Sequence, residues 1–122
     1  MAGKIRVAIV EASPDIHVAI ASLLADEADV EVVRHARTLA ELADLCNNGI
    51  DVLVADLRGL AGPEHDALRD FRRRCPHVRV VVTTSGEERE YGDAAARLLA
   101  DMWVPKTKLA GELLHALRRM AP

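Results

Sequence analysis

Four residues of this 122-residue chain carry side chains that suit phosphate chemistry: Glu11, Asp56, Thr84 and Lys106. Each stands at the end of an apolar, β-rich run. Asp56 supplies a carboxylate able to attack a phosphoryl group. Glu11 supplies a second carboxylate able to help hold a divalent cation, since magnesium takes carboxylate oxygens and water. Thr84 offers a hydroxyl to a phosphoryl oxygen, and Lys106 neutralises one as a point charge. A metal and an ammonium together stabilise the charge of a transferring phosphoryl group.

These residues lie far apart along the chain, so a fold must gather them. The runs are Ile5–Val10, Val30–Val33, Val52–Ala55, Val80–Thr83 and Met102–Val104. The first, third and fourth are almost wholly apolar, as strands covered on both faces are. Glu31 and Arg34 mark the second as an edge strand. Helical stripes alternate with the runs: Ile16, Ile20, Leu23 and Leu24; Leu39, Leu42, Ala43 and Cys46; Leu68, Phe71 and Cys75; Leu109, Leu113, Leu117 and Met120. Ser13-Pro14 reads as an N-cap with proline at the first helical position. Asn48-Gly49 and Pro76 read as helix stops. A fourth helix over 87–100 has only a small apolar stripe, and Gly92 inside it costs about 1 kcal/mol relative to alanine. Five β-then-α units predict one domain over 1–122. They argue for one parallel sheet with helices on both faces. In such sheets the functional crevice lies at the carboxyl ends of the strands, where the four residues stand.

Composition narrows the function. Sixteen basic and nineteen acidic residues give a formal charge of −3, which does not suit a nucleic-acid surface. The three aromatics, Phe71, Tyr91 and Trp103, are too few for a base-stacking platform. The apolar runs are too short to span a bilayer and no signal-peptide pattern opens the chain, so the expected compartment is the cytoplasm. Cys46 and Cys75 form no metal pattern and read as reduced core thiols. His17, His35, His65, His77 and His115 lack metal-ligand spacing and read as surface or edge residues. Arg72-Arg73-Arg74 reads as a solvated helix end that favours the dipole. No glycine-rich loop follows the first strand, which disfavours a flavin or nucleotide binder.

The same residues carry a family resemblance over 4–120. Val10-Glu11-Ala12-Ser13-Pro14, Val54-Ala55-Asp56-Leu57-Arg58, Val82-Thr83-Thr84-Ser85 and Trp103-Val104-Pro105-Lys106 resemble, in order, the four signature segments of two-component response regulator receiver domains. The gaps of 45, 28 and 22 residues between Glu11, Asp56, Thr84 and Lys106 fit that family. The resemblance implies a flavodoxin-like, doubly wound (βα)5 fold with its five-stranded parallel sheet ordered 2-1-3-4-5, and a non-enzymatic signalling module, phosphorylated on Asp56 by a sensor histidine kinase or a phosphotransfer protein. It implies Mg2+ held by Glu11, Asp56 and the backbone carbonyl of Arg58. It also implies a switch through Thr84 and Trp103 that remodels the face of the fourth helix, fifth strand and fifth helix. An output module outside this stretch, such as a DNA-binding transcription regulator, and a homodimer complete the expectation. Membrane contact and direct nucleic-acid binding by this domain do not belong to it.

The chain departs from the pattern at Ala12, where the family carries its second acid, so the expected magnesium site is weakened. Asp15 and Ser13 are the neighbours able to compensate. The loop after Asp56 lacks the usual proline and has Glu64 where glycine is common. Leu99 replaces a usual glycine, and Thr107 rather than proline follows Lys106. The competing expectation is a pseudo-receiver, a protein-interaction module that works without metal and phosphate.

Overall fold

The computed structural model describes residues 3–42, 49–56, 63–84 and 100–120. Among them five strands, β1 (Ile5–Val10), β2 (Val30–Ala36), β3 (Val52–Asp56), β4 (Arg79–Thr84) and β5 (Met102–Pro105), form one parallel sheet ordered β2-β1-β3-β4-β5. This is the predicted order. Three α-helices are described: α1 (Pro14–Ala25), α2 (Pro63–Arg74) and α3 (Leu109–Met120). The expected second helix begins as a 3-10 turn over Leu39–Leu42. Its remainder, and the expected fourth helix, lie outside the described residues. Gly49 has φ +67°, the left-handed conformation its place after Asn48 predicted.

Strand alternation sorts the core into two layers. Ile5, Val7 and Ile9 of β1, Val52 and Val54 of β3, Val81 and Val104 pack against Ile20 and Leu24 of α1 and Leu113 and Leu117 of α3. Ala8, Val10, Leu53, Ala55, Val80 and Val82 face Leu68 and Phe71 of α2, with Trp103 packed against the same cluster. β1, β3 and β4 are buried along most of their length, whereas β2 exposes Glu31 and His35 as an edge strand. Helix α1 starts as its sequence asks. The Ser13 side chain accepts from the Ile16 backbone N–H at 3.5 Å, and Pro14 occupies the first turn.

Two expectations are corrected. His65 is buried on α2 rather than exposed or at an edge, because its position on the helix turns it inward beside Leu68. Cys75 is fully buried but disulfide-bonded rather than reduced; pairing depends on approach in space, which spacing along a chain does not reveal. The other cysteine, Cys46, lies outside the described residues.

Candidate phospho-acceptor site

The ladder sets the site. β1 pairs with β3 through Val10↔Ala55, and β3 with β4 through Asp56↔Thr83. The next row across the sheet therefore holds Glu11, Asp56, Thr83 and Val104, since β4 pairs with β5 through Thr83↔Val104. Alternation places this row on the α1 and α3 side, below Val54 and Val81 in the same layer. The strands end here, which lets Glu11 and Asp56 converge.

Lys106 closes the pocket. Its Nζ lies 2.9 Å from Asp56 Oδ1 and 3.0 Å from Glu11 Oε1, with all three side chains largely buried. One ammonium thus bridges two carboxylates. Burial opposes its charge. The hydrogen bonds and charges of Asp56 and then Glu11 outweigh that, and Lys106 is held above its ordinary range. Glu11 is doubly engaged, because its Oε2 accepts from the Ser13 backbone N–H at 2.9 Å. That bond fixes the turn into α1 as well as the carboxylate.

Thr84 falls in register with Val80 and Val82, on the α2 side. Its Oγ1 accepts the indole N–H of Trp103 at 2.9 Å. The two residues expected to switch together are thus directly bonded, and Thr84 is 1% exposed. The structure brings Glu11, Asp56 and Lys106 into one cluster and Thr84 and Trp103 into another beside it. Arg58 lies outside the described residues.

The donor set for a magnesium ion is short. Ala12 contributes no oxygen, and Asp15 is exposed in the first turn of α1. Among the described residues no three His, Cys, Asp or Glu side chains cluster as a metal would require. Glu11 Oε1 and Asp56 remain, so the site fits a hard cation through two carboxylates, with water filling most of its shell.

One polar group in the row was not singled out from sequence. Thr83 is fully buried and its Oγ1 has no hydrogen-bond partner among the described residues. The signal available was its place one residue before Thr84, which by alternation points it to the Asp56 side. The histidines also hold a surprise. His17 and His35 meet through His17 Nε2 and His35 Nδ1, with ring centroids 4.8 Å apart, and His17 Nδ1 lies 3.4 Å from the Glu11 carbonyl. Burial, then the charge of His17, holds His35 below its usual range.

No protein-family profile matches the chain, and no curated protein matches it. Solved structures do. The chain is similar to the RcsB response regulator of Salmonella typhimurium, with TM-score 0.85 and 20% identity over 98% of this chain. It spans 60% of that protein's length. It is similar to the isolated REC domain of RcsB from Salmonella enterica serovar Typhimurium, in a structure with the phosphomimetic BeF3−. There the TM-score is 0.81 and the identity 21%, over 96% of this chain and 90% of the other. The response regulator domain of Thermotoga maritima CheB matches at TM-score 0.81 and 22% identity, over 96% of both chains. The fold is that of a response regulator receiver domain, as the signature segments predicted.

Proposed function

We propose that this chain is a phospho-receiver that accepts a phosphoryl group on Asp56 and passes the change to an output module or partner. The observation that carries the reading is the buried triad of Asp56, Glu11 and Lys106 at the carboxyl edge of a receiver-type sheet. Asp56 supplies the attacking carboxylate oxygen. Lys106, already 2.9 Å from that carboxylate, is placed to follow the incoming negative charge. Thr84 keeps its own hydroxyl proton while accepting from Trp103, so it retains a donor for a phosphoryl oxygen. Glu11 and Asp56 would hold Mg2+, which supplies positive charge to the transferring phosphoryl group. A sensor kinase or phosphotransfer protein is the donor this chemistry needs. The solved relatives include a complex of RcsB with DNA, which motivates a DNA-binding output module for the protein that contains this domain.

The test is incubation with acetyl phosphate, with and without magnesium, followed by intact mass. A gain of one phosphoryl group in the wild type, absent in Asp56→Asn, supports the reading. An unchanged mass at high magnesium rejects it.

A second reading, a pseudo-receiver that binds partners without phosphate, is favoured by Ala12 and by the way Lys106 already balances both carboxylates. Under it the wild type binds magnesium only outside the millimolar range, and Ala12→Asp restores binding.

A further inference from the structure

We infer that Thr83, one residue before the switch threonine, donates its hydroxyl proton to the phosphorylated Asp56 carboxyl and so sets how long Asp56 stays phosphorylated. This rests on the reading of Asp56 as phospho-acceptor. A buried hydroxyl without a partner is uncommon and calls for a reason. Thr83 is 0% exposed, and its Oγ1 has no hydrogen-bond partner among the described residues. It is also the register partner of Asp56 on the neighbouring strand. Side chains so paired stand about 4.8 Å apart on the same face of the sheet.

Lys106 explains why the position matters. It rises from the end of β5, yet its ammonium meets Asp56 on β3 and Glu11 on β1. β4 lies between β5 and β3, so the lysine reaches past the strand that carries Thr83. In the resting protein the ammonium serves Asp56 Oδ1 at 2.9 Å, and the threonine proton is not needed there.

Phosphorylation changes this. One Asp56 carboxylate oxygen forms a bond to phosphorus, and the donor's bond to phosphorus breaks. The leaving group departs with the electron pair and takes up a proton. Lys106 is drawn to the phosphoryl oxygens, which carry the new charge. The carbonyl oxygen of the acyl phosphate then faces the Thr83 hydroxyl, which donates to it. In hydrolysis a water oxygen bonds to phosphorus, the bond from phosphorus to Asp56 breaks, and the carboxylate returns as inorganic phosphate leaves with the water's protons. Negative charge grows on the Asp56 carboxyl in that step, so a donor from Thr83 speeds it.

The experiment compares wild type, Thr83→Val and Thr83→Ser, each phosphorylated with acetyl phosphate and magnesium, then freed of donor. Phosphoryl lifetime is read by intact mass over time, and folding by circular dichroism. Valine matches threonine in shape and lacks only the hydroxyl. Thr83→Val is expected to lengthen the lifetime about fivefold, the size of one net hydrogen bond, and Thr83→Ser to return it toward wild type. Equal lifetimes in wild type and Thr83→Val overturn the inference while leaving the receiver reading intact. A long lifetime in both Thr83→Val and Thr83→Ser also overturns it, because packing rather than the hydroxyl would then be responsible. A wild type that takes up no phosphoryl group overturns the receiver reading, and this inference with it.

Discussion

The chemistry of this domain turns on a few single contacts, and the bond from Trp103 to Thr84 is the one most open to test. An indole N–H can make it and a phenyl ring cannot. Trp103→Phe keeps the apolar body beside its register partner Val82, against the α2-side cluster, and removes the donor. We expect a loss of about 0.5–1.5 kcal/mol in urea denaturation followed by circular dichroism; no loss would mean that the bond adds nothing. At Ala12 the expectation runs the other way. Ala12→Asp adds a carboxylate beside Glu11, so magnesium should bind at least about tenfold more tightly, the gain of 1.4 kcal/mol. Trp103 fluorescence reads that titration, and equal affinities would show that the missing acid is not what limits the site. Lys106 adds a dependence on pH. Its folded value lies above its ordinary 10.5, so the stability it contributes is fully present below 10.5 and is lost as pH rises through the folded value. A Lys106→Met variant should therefore show a flatter alkaline limb in thermal unfolding. That Glu11, Asp56 and Lys106 meet could be read from sequence because each ends an apolar run and the strand ends gather at one sheet edge, while Thr84 at the same edge bonds Trp103 instead. Thr83 could not, since a threonine inside a β run looks like any β-branched residue until register places it beside Asp56.

At the scale of elements, the sheet edge at β5 is held by one carboxylate. Asp101, just before β5, accepts from the Val80 backbone N–H at 2.8 Å and from Arg72 at 3.1 Å, with Arg79 at 3.6 Å. It ties the start of β5 to β4 and to the end of α2. Burial would raise its carboxyl, but the Arg72 bond, the Val80 N–H and the two arginine charges outweigh that and hold it below 3.8. Its contribution is present above pH 3.8 and lost as pH falls through the lower folded value. Asp101→Asn keeps one acceptor for Val80 but leaves Arg72 without its charge partner, so a loss of about 1–2 kcal/mol at neutral pH is expected. The loss should shrink below pH 3.8 in denaturation curves; a pH-independent loss would assign the effect to packing. This residue also tempers the sequence reading of Arg72-Arg73-Arg74. The run does end a helix, yet Arg72 serves β5 and Arg74 pairs with Asp70 at 2.8 Å. Helix existence was legible from periodicity and caps, because a stripe and an N-cap are local. The Asp101 partner of Arg72 was not, because it is 29 residues away in sequence.

For the whole molecule, the two core layers divide the site between them. The α1 and α3 layer lies beneath Glu11, Asp56 and Lys106, while the α2 layer packs Trp103 and faces Thr84. Asp56 and Trp103 lie on opposite faces, so a signal between them would cross the sheet; among the described residues the carboxyl end of β4, where Thr83 and Thr84 point to opposite sides, offers such a crossing. That the strands form one parallel sheet was legible because β and α units alternate along the chain; its order followed from the resemblance to receiver domains. The division was not, because it depends on which residue of each strand faces which helix at the strand's last turn of the pleat. It yields a prediction about coupling. If Asp56 accepts the phosphoryl group as proposed, acetyl phosphate should change the emission of Trp103, the single tryptophan, as Thr84 would turn toward the phosphoryl oxygens and release the indole N–H. Thr84→Val should take up the phosphoryl group with an unchanged stoichiometry by mass yet leave the emission flat, because the link across β4 is gone. Leu113→Ala, in the layer under the carboxylates, should cost about 2–5 kcal/mol of stability and keep the emission change in whatever fraction stays folded, because the link itself is untouched. An emission change that survives in Thr84→Val would move the crossing point away from β4 and require a second route between the layers.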